Sequence, residues 1–554
     1  MGEDPSAMSH DALPPADAHA TARRRLPGAL APLDGPVFRN LWITWAAANL
    51  TMWMHDVAAA WLMTELTTSP VMVALVQTAS TLPVFLLGLP SGALADILDR
   101  RRYYAATQLW VSLVALVLAL TALVGGLNAP LLLALTFANG IGLALRWPVF
   151  SAIVPSVVPR SDLPAALALN GISMNLARVL GPTIAGALLA AAGATAVFAL
   201  NAVLAVMSAV LILRWKAQAQ PSALPGERFL GAMRVGIQHV TQSPRMRVVL
   251  VRIFAFFLQS SALMALLPLV ALRLPGAGAG TFTLMLSSIG AGAIGAALAF
   301  PALRARFGRD TFVRVATVVH AAASVAVVLS PTPWLSVPLL MVLGAAWIST
   351  ANTLSVAAQM ALPDWVRARG MSAYQMALMG GSAAGSLLWG QVASFSSIDA
   401  AVIVASVLGP LFLLATRHWT VDGGEEVDHT PVEVPATIAE PAQAVDGDEG
   451  PVMVSVEYWI DPARAEDFAR VMQATRQARL RQGVLSWSLF RDAAVPGRYV
   501  EVFVDENWTE HQRRLARFSA ADAGLREQRL AFHVRPELPR VQRHVAEGRG
   551  GLPR

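Results

Sequence analysis

Long apolar runs recur along the chain from Leu41 to Thr416, with short polar connections between them. A helix needs about 20 mostly apolar residues to cross the hydrocarbon core of a bilayer. Runs of about this length lie at 41–63, 70–94, 103–125, 130–153, 164–190, 193–214, 248–272, 281–303, 311–330, 334–360, 371–395 and 398–416. The pattern predicts an all-α polytopic membrane protein with twelve transmembrane helices.

The longest connection within this apolar region separates six predicted spans from six. We expect an N-terminal half at 37–214, a central cytoplasmic loop at 215–247 and a C-terminal half at 248–417. Each half also carries a Gly-rich helix that ends in a basic turn, after its second span. Two related six-helix halves around a central cavity are typical of proteins that expose one site to the two sides of a membrane in turn.

The basic residues indicate how the spans are oriented. They concentrate in alternate connections, such as residues 100–102, 214–247 and 304–309, whereas the intervening connections contain Arg273 alone. Arginines collect on the cytoplasmic side of membrane proteins. We therefore expect both termini in the cytoplasm and a location in the inner (cytoplasmic) membrane. This explains the net charge of +6 without a nucleic-acid partner.

Three segments outside the bundle differ in composition. Residues 1–36 are rich in Ala, Pro and charge, which predicts a disordered cytoplasmic tail. Residues 418–450 form an acidic linker, with nine acidic residues and no Lys or Arg between 421 and 450. Residues 451–546 alternate like a small soluble domain.

The pattern in that last segment predicts a βαββα order that a further strand closes. The predicted elements are a strand at 452–460, a helix at 462–482, strands at 484–491 and 499–505, a helix at 508–530 and a strand near 531–535. This order is typical of an α+β ferredoxin-like domain.

Composition excludes several kinds of chemistry. The chain has 554 residues, of which 55% are hydrophobic and 14% are charged, and its mean hydropathy is +0.52. It has no cysteine, which excludes disulfides, thiolate catalysis and cysteine-ligated metals. We expect no metal, no cofactor and no enzyme activity.

The most specific motif follows the second span. It reads Gly92-Ala-Leu-Ala-Asp96-Ile-Leu-Asp-Arg100-Arg101-Arg. Gly92 lets two helices approach closely, Asp96 can face the N-terminal end of a neighbouring helix, and the arginines can pair with it. The motif resembles the loop motif of the major facilitator superfamily, with Asp99 where that superfamily usually has glycine.

A second motif, Gly181-Pro182 in the fifth span, resembles the Gly-Pro motif of the drug and proton antiporters of that superfamily. Glycine and proline there would kink the helix and leave a smooth packing face. We predict a conformational gate from Gly92, Asp96, Arg100, Arg101, Gly181 and Pro182. Simple packing of small residues remains the alternative for the second motif.

Further motifs identify a narrower family. They are residues 53–56 (Trp-Met-His-Asp), 59–64, 74–77, 365–370 and 508–513. Together these resemble the bacterial transmembrane secretion effectors, which are related to enterobactin exporters. The resemblance implies the major facilitator fold and efflux from the cell, and it leaves the substrate open.

Asp56 is the acidic residue placed well inside a predicted span. A carboxylate in lipid is costly unless it is paired, hydrated or protonated, so it marks a functional site by default. Arg178 lies at a similar depth in the same half. We expect Asp56 to couple transport to protons and Arg178 to be its partner or an anchor for an anion. A static ion pair is the alternative.

Other polar residues inside the spans are candidates for the substrate cavity. They are Asn49, Gln77, Arg146, His320, Asn352 and Tyr374. Arg146 could equally reach the cytoplasmic interface, and His320 could equally form a hydrogen bond between helices.

Proton-coupled export of a small drug-like or siderophore-like molecule is therefore the leading hypothesis. The C-terminal domain resembles the antibiotic-biosynthesis monooxygenases, whose domains usually dimerise. The alternatives are a bifunctional transporter whose C-terminal domain acts on an aromatic compound, and a membrane sensor that does not transport. Homodimerisation through that domain is also left open.

Overall fold

The computed structural model describes residues 28–159, 162–215, 229–304, 306–421, 428, 430, 432 and 445–547. Most of this chain is helical. The helices of this part are α1 (Pro36–Leu66), α2 (Pro70–Ile97), α3 (Arg100–Leu123), α4 (Ala129–Val157), α5 (Leu163–Leu213), α6 (Phe229–Gln242), α7 (Pro244–Arg273), α8 (Ala279–Arg304), α9 (Arg309–Val328), α10 (Pro333–Met360), α11 (Asp364–Phe395) and α12 (Ile398–Ala415). All of them except α6 are long.

Within the described residues, nine of these helices are long and apolar enough to cross a membrane. One of the nine, α5, covers two predicted spans. The predicted spans in α1 and α11 do not meet this criterion, although the helices have 31 and 32 residues. Their sequences include polar residues such as Asn49, Asp56 and Gln375, which lower the mean hydropathy of the windows that contain them.

The backbone of α5 leaves helical geometry at Gly193, where φ is 74° and ψ is −178°. Only glycine adopts such angles without steric cost. The helix runs through Pro182 without such a break. Gly193 lies at the predicted boundary between the fifth and sixth spans, and the kink expected at Gly181-Pro182 stays a prediction.

The helices form two packed groups. Within the first group, α1 and α3 pack against α5, and α2 packs against α4. Within the second, α8 and α9 pack against α10, and α7 packs against α11. The most extensive packing between the groups is that of α2 with α11 and of α5 with α8, and α2 also packs against α7. A buried apolar core that includes Met54, Leu118, Leu266 and Leu343 extends through both groups.

Two segments that were predicted to lack regular secondary structure contain helices. Gly28–Asp34, in the predicted disordered tail, forms a 3-10 helix whose Ala31 is 7% exposed. In the predicted central loop, residues 229–242 form α6, whose side chains are apolar on one face. Residues 1–27 and 216–228 lie outside the described residues, as does most of the predicted linker.

The C-terminal domain contains a four-stranded antiparallel sheet in the order β2-β3-β1-β4. Its elements are β1 (Val452–Trp459), α13 (Ala465–Arg481), β2 (Ser486–Arg491), β3 (Arg498–Asp505), α14 (Trp508–Ala516), α15 (Ala520–Leu530) and β4 (Arg540–Val545). Alternate residues of β1, from Val452 to Tyr458, are buried. This small sheet is consistent with the βαββα order read from the sequence.

Two boundaries in this domain differ from the prediction. The last strand is Arg540–Val545 and not 531–535, where His533 forms an isolated bridge to Ile460. The predicted helix 508–530 is two helices, because Ser519 starts α15 with a capping box in which Asp522 takes part. Each difference arises where hydrogen bonds, and not hydrophobic periodicity, set the boundary.

The C-terminal domain rests against the helical bundle at the end where α11 begins. Arg234 of α6 donates a hydrogen bond to Glu506 at 2.7 Å, and Gln238 donates to the carbonyl oxygen of Val484 at 2.7 Å. The guanidinium of Arg517 lies 4.4 Å from the centroid of the Trp365 ring. Helix α6 therefore connects the sheet domain to the bundle.

Candidate functional site

Asp56 lies in the middle of α1, on a partly buried face. Its Oδ1 accepts a hydrogen bond from the hydroxyl of Ser80 on α2, at 2.9 Å. Trp53 is one turn earlier on α1 and lies beside it on the same face. The carboxylate is therefore held by a neutral donor from the neighbouring helix.

Arg178 of α5 lies between two tryptophan rings from different halves of the bundle. Its guanidinium carbon is 5.6 Å from the centroid of the Trp53 ring and 5.0 Å from that of Trp347 on α10. It is 9% exposed, and its Nη1 reaches the side-chain oxygen of Asn175 at 3.4 Å. We call this arrangement of Arg178, Trp53 and Trp347 the arginine clamp.

The alternative of a static ion pair between Asp56 and Arg178 is not among the salt bridges of the described residues. Asp56 turns towards Ser80 on α2, whereas Arg178 stacks on Trp53 one turn away. The two charges thus belong to one cluster but have different partners. The Nε atom of Arg178 is buried without a hydrogen-bond partner.

Close helix contacts surround the clamp. A Cβ atom added to Gly181 would lie 2.5 Å from the Cβ of Trp53, and one added to Gly290 of α8 would lie 2.9 Å from Val179. Glycine is therefore required where α5 passes α1 and α8. Pro182 follows Gly181 inside α5. Small residues thus bring the two halves together at the level of Arg178.

The motif after α2 connects three parts of the bundle. Gly92 faces the hydroxyl of Ser372 on α11, 3.8 Å from the position that a Cβ would occupy. Arg101 donates a hydrogen bond to the carbonyl oxygen of Trp215, just after α5, at 3.0 Å. The side chain of Asp96 lies outside the described residues, so its predicted pairing with Arg100 and Arg101 stays a prediction.

Asp99 has a local structural role in the same motif. Its side chain accepts a hydrogen bond from the backbone nitrogen of Arg102 at 2.8 Å, and it is the N-cap of α3. A carboxylate at this position also interacts favourably with the helix dipole. This explains an aspartate at a turn where glycine was the expected residue.

Arg146 is packed inside the first half. It is fully buried, its Nη1 donates to the carbonyl oxygen of Ala48 on α1 at 2.8 Å, and its guanidinium lies 5.3 Å from the centroid of the Trp45 ring. A fully buried side chain does not reach the membrane interface, which rules out that alternative in this arrangement. The assignment of Arg146 to the substrate cavity stays a prediction.

His320 lies between helices of the second half. It is 1% exposed, its Nδ1 is 3.5 Å from the side-chain nitrogen of Gln259 on α7, and its ring meets Phe256 edge-on at 5.2 Å. These contacts fit the alternative of a hydrogen bond between helices better than a place in the substrate cavity.

The remaining predicted cavity residues are scattered. Tyr374 is 4% exposed and donates to the carbonyl oxygen of Ala351 at 2.9 Å. Asn49 is fully buried, and both polar atoms of its side chain lack a hydrogen-bond partner. Gln77 and Asn352 are partly buried. Their assignment to a substrate cavity stays a prediction.

The C-terminal domain contains a separate buried charged network. Asp505 accepts hydrogen bonds from Arg514 at 2.9 Å and from His511 at 2.7 Å. Glu501 pairs with Arg479 at 3.3 Å and accepts from the indole of Trp487 at 3.0 Å. Burial alone would raise the pKa of Asp505, but the charge of Arg514 and these hydrogen bonds lower it to about 2.

A family comparison covers nearly the whole chain. The model of a family described as transmembrane secretion effector matches residues 27–550. The chain belongs to the transmembrane secretion effector family. The match includes the C-terminal domain, although the ferredoxin-like assignment of that domain rests on the sequence pattern and is consistent with the sheet.

Curated relatives of this family member are transporters by name. An uncharacterized MFS-type transporter, YfiS, of Bacillus subtilis is 27% identical over 223 residues, which are 38% of this chain and 52% of the relative. The macrolide efflux protein A of Streptococcus pyogenes is 22% identical over 175 residues, 32% of this chain and 43% of the relative. The staphyloferrin A transporter of Staphylococcus aureus is 25% identical over 162 residues, 29% of this chain and 41% of the relative.

The chain thus spans about half, or less, of the length of these curated relatives. The family and the relatives are transporters and not enzymes, in agreement with the expectation from the sequence.

Solved structures show the same fold. The nucleoside transporter NupG, as a D323A mutant, has a TM-score of 0.58 and 13% identity, and the match covers 69% of this chain and 99% of NupG. A POT family transporter in complex with 5-aminolevulinic acid has a TM-score of 0.57 and 12% identity, covering 69% of this chain and 95% of that one. The fold of this secretion effector is therefore the mostly helical major facilitator fold.

Two residues of the cluster around Asp56 were missed from the sequence. Ser80 lies one turn after Gln77 on α2, so helical spacing from that candidate would have found it. Trp347 had no comparable signal, because the sequence does not show which helix of the second half faces Arg178.

Proposed function

We propose that this protein is a secondary-active exporter of a small organic molecule and works by alternating access. Membership of the transmembrane secretion effector family supports this proposal, as do relatives named for efflux or transport. The observation that carries it furthest is the arginine clamp. It places one buried cation between aromatic rings of both halves, where a relative movement of the halves must change its contacts.

Proton coupling through Asp56 is the second part of the proposal. The carboxylate is inside the bundle and has a hydroxyl partner in place of a cation. Such a group can take up a proton when the site is dry and release it when water enters. Ser80 can serve either form, since a hydroxyl both donates and accepts.

Arg178 is proposed as the modulator of Asp56 and as an anchor for an anionic group on the substrate. Cation–π contacts are worth about 0.5–2 kcal/mol, so a substrate anion can replace one ring without a large barrier. The unbonded Nε atom provides a donor for that anion. The rings of Trp53 and Trp347 would then contact the apolar part of the substrate.

The gate is proposed to consist of the two most extensive contacts between the halves. On one side, Gly92 faces Ser372 of α11 and Arg101 binds the end of α5, and Asp96 and Arg100 of the same motif are assigned to this part of the gate. On the other, α5 with Gly181 and Pro182 passes α8. If the helices of each pair approach at one end and separate at the other, the opening of the central cavity would change from one side of the membrane to the other.

The topology belongs to the same proposal. Twelve spans in two six-helix halves would place both termini and α6 on the cytoplasmic side of the inner membrane. The sheet domain, which contacts α6, would then be a ferredoxin-like cytoplasmic module. Homodimerisation through this module stays an open alternative.

The test is uptake of a panel of lipophilic and siderophore-like fluorescent compounds by efflux-deficient cells that express the protein. We expect wild type to lower accumulation, an uncoupler of the proton gradient to abolish this effect, and Asp56→Asn to behave like the uncoupled wild type. Asp399→Asn is the matched control, because Asp399 sits at a helix end and pairs with Arg273. Full uncoupler-sensitive export by Asp56→Asn, at equal expression, would contradict the coupling role.

A further inference from the structure

The C-terminal domain contains a cavity of about 320 Å³ between the inner face of its sheet and α14 and α15. Its floor is apolar and includes Val454, Val456 and Phe503 from the two central strands. Leu515 and Phe518 cover it from the helix side. This volume is at the small end of the range for ligand sites and suits a molecule with a body of one or two rings.

The rim of this cavity is strongly basic. No acidic residue is among the side chains that line it. The lining includes five arginines: Arg479, Arg514, Arg526, Arg529 and Arg543. Such a concentration of one charge beside an apolar floor is unusual for a packed core, because each buried cation costs free energy unless an anion meets it.

Two carboxylates that pair with lining arginines, but do not themselves line the cavity, offset only part of this positive charge. Glu501 pairs with Arg479, and Asp505 pairs with Arg514. Arg529 donates to the hydroxyl of Tyr458, which in turn donates to Glu501. Asp522 adds a third negative charge near Arg479. Among the described residues three acids therefore face five arginines, which leaves an excess of two positive charges around one small space.

Arg543 and Arg526 provide the uncompensated charges nearest to solvent. The Nε of Arg543 donates to the Nε2 of His511 at 3.2 Å, so that His511 nitrogen is an acceptor and the ring is neutral. The other ring nitrogen can then donate to Asp505. Both arginines are partly exposed, so their guanidinium groups are accessible from the mouth of the cavity.

We propose that this cavity is a binding site for a small organic acid, with an apolar ring system on the sheet and a carboxylate held by Arg526 and Arg543. A carboxylate takes two parallel hydrogen bonds from a guanidinium group, and the excess positive charge stabilises it further. The site is distinct from the transport site around Asp56 and does not depend on the proposed export activity.

The cavity shares a wall with the contact between the C-terminal domain and the bundle. Phe518 lines this cavity and also a second, larger one of about 740 Å³ between the domain and the bundle. The neighbouring Arg517 stacks on Trp365 near the start of α11. A ligand that moves α14 would therefore alter a contact with a helix that joins the two halves.

The test is isothermal titration of the full-length protein in nanodiscs with 1-naphthoate as the probe. Its neutral analogue 1-naphthamide has the same ring system without the charge. We expect naphthoate to bind at least tenfold more tightly than naphthamide, and Arg526→Gln or Arg543→Gln to remove that preference. Arg476→Gln is the matched control, since Arg476 is an exposed arginine on α13 outside the cavity.

Several results would overturn the proposal. Equal affinity for naphthoate and naphthamide would mean that the cavity recognises only apolar surface. Competition by inorganic phosphate as effective as that by naphthoate would mean a simple anion site. Naphthoate binding that survives both Arg526→Gln and Arg543→Gln but is lost in Arg178→Gln would place the ligand in the bundle. Arg526 is partly exposed, so its replacement leaves the buried pairs intact and keeps the test independent of folding.

Discussion

Buried arginines are held in two different ways in the two parts of this molecule. In the bundle, Arg146 and Arg178 contact tryptophan rings and neutral oxygen atoms. In the C-terminal domain, Arg479 and Arg514 pair with the buried carboxylates Glu501 and Asp505. Buried arginine side chains therefore contact uncharged aromatic and polar groups in the bundle, and negatively charged carboxylates in the C-terminal domain.

This difference fits the function that we propose for each region. Removing one partner from a buried ion pair costs about 3–5 kcal/mol, so such pairs hold a domain in one arrangement. A cation–π contact is worth about 0.5–2 kcal/mol and tolerates changes in the angle and distance of the ring. The bundle thus keeps its cation where it can exchange partners, whereas the C-terminal domain keeps its cations fixed.

The largest expected effect is in the C-terminal domain. Asp505→Asn would leave Arg514 buried without its counter-charge, and we expect the free energy of unfolding of the domain to fall by about 3–5 kcal/mol. Urea unfolding of the full-length protein, followed by pulse proteolysis of the domain, measures this change. Asp467→Asn is the control, because its partner Arg470 is at the surface, where a pair is worth about 0–1 kcal/mol.

The pH dependence of stability provides a second test of the Asp505–Arg514 ion pair. The folded pKa of Asp505 is about 2, below its ordinary value of 3.8. Its contribution is therefore present above pH 4 and is lost as the pH falls from about 4 towards 2. We expect the stability difference between wild type and Asp505→Asn to narrow over this range. A difference that stays constant down to pH 2 would contradict the assigned ion pair.

A smaller effect is expected at the arginine clamp. Arg178→Lys keeps the charge but loses the flat guanidinium that stacks on Trp53 and Trp347. We expect export to fall by about tenfold, which corresponds to about 1.4 kcal/mol, within the range of a cation–π contact. Initial rates of fluorescent substrate efflux from loaded cells, normalised to membrane expression, measure the change.

Trp347→Phe gives the matched comparison for this prediction. Phenylalanine keeps an aromatic face for Arg178, so we expect a loss of only a few-fold relative to wild type. If Arg178→Lys exported as well as wild type, charge alone would suffice, and the two rings would be packing residues without a role in the movement.

The sequence predicted the parts of this fold that hydropathy controls. Apolar runs located the long helices, and strand alternation located β1 and β3. The turn of α5 at Gly193 fell close to a predicted boundary. Hydropathy did not reveal α6, because 14 residues with one apolar face resemble any amphipathic loop helix.

The candidate site was less accessible from sequence, because the rotation of each helix decides which side chains meet. The sequence predicted Asp56 and Arg178 as charges inside the spans, and the structure places both beside Trp53, yet the partner of Asp56 is Ser80, and the partners of Arg178 include Trp347 from the other half. Similarly, the basic cavity in the C-terminal domain depends on which residues of three strands share one face. The spacing of residues along a single strand does not predict that arrangement.

The most direct test of alternating access is a pair of distance measurements by electron spin resonance. The chain has no cysteine, so single cysteine pairs can be labelled without background. Gly171→Cys with Gly295→Cys reports on α5 and α8 on one side of the contact at Gly290. Ala190→Cys with Gly280→Cys reports on the opposite end. All four positions are exposed.

We predict that Asp56→Asn, which mimics the protonated carboxyl group, changes the two distances in opposite directions in nanodiscs. One end of the α5–α8 pair would close as the other opens, because in the proposed mechanism the halves rock about the arginine clamp. Distances that both stay unchanged, or that both lengthen together, across wild type and Asp56→Asn and across pH 6 to 8, would contradict the account.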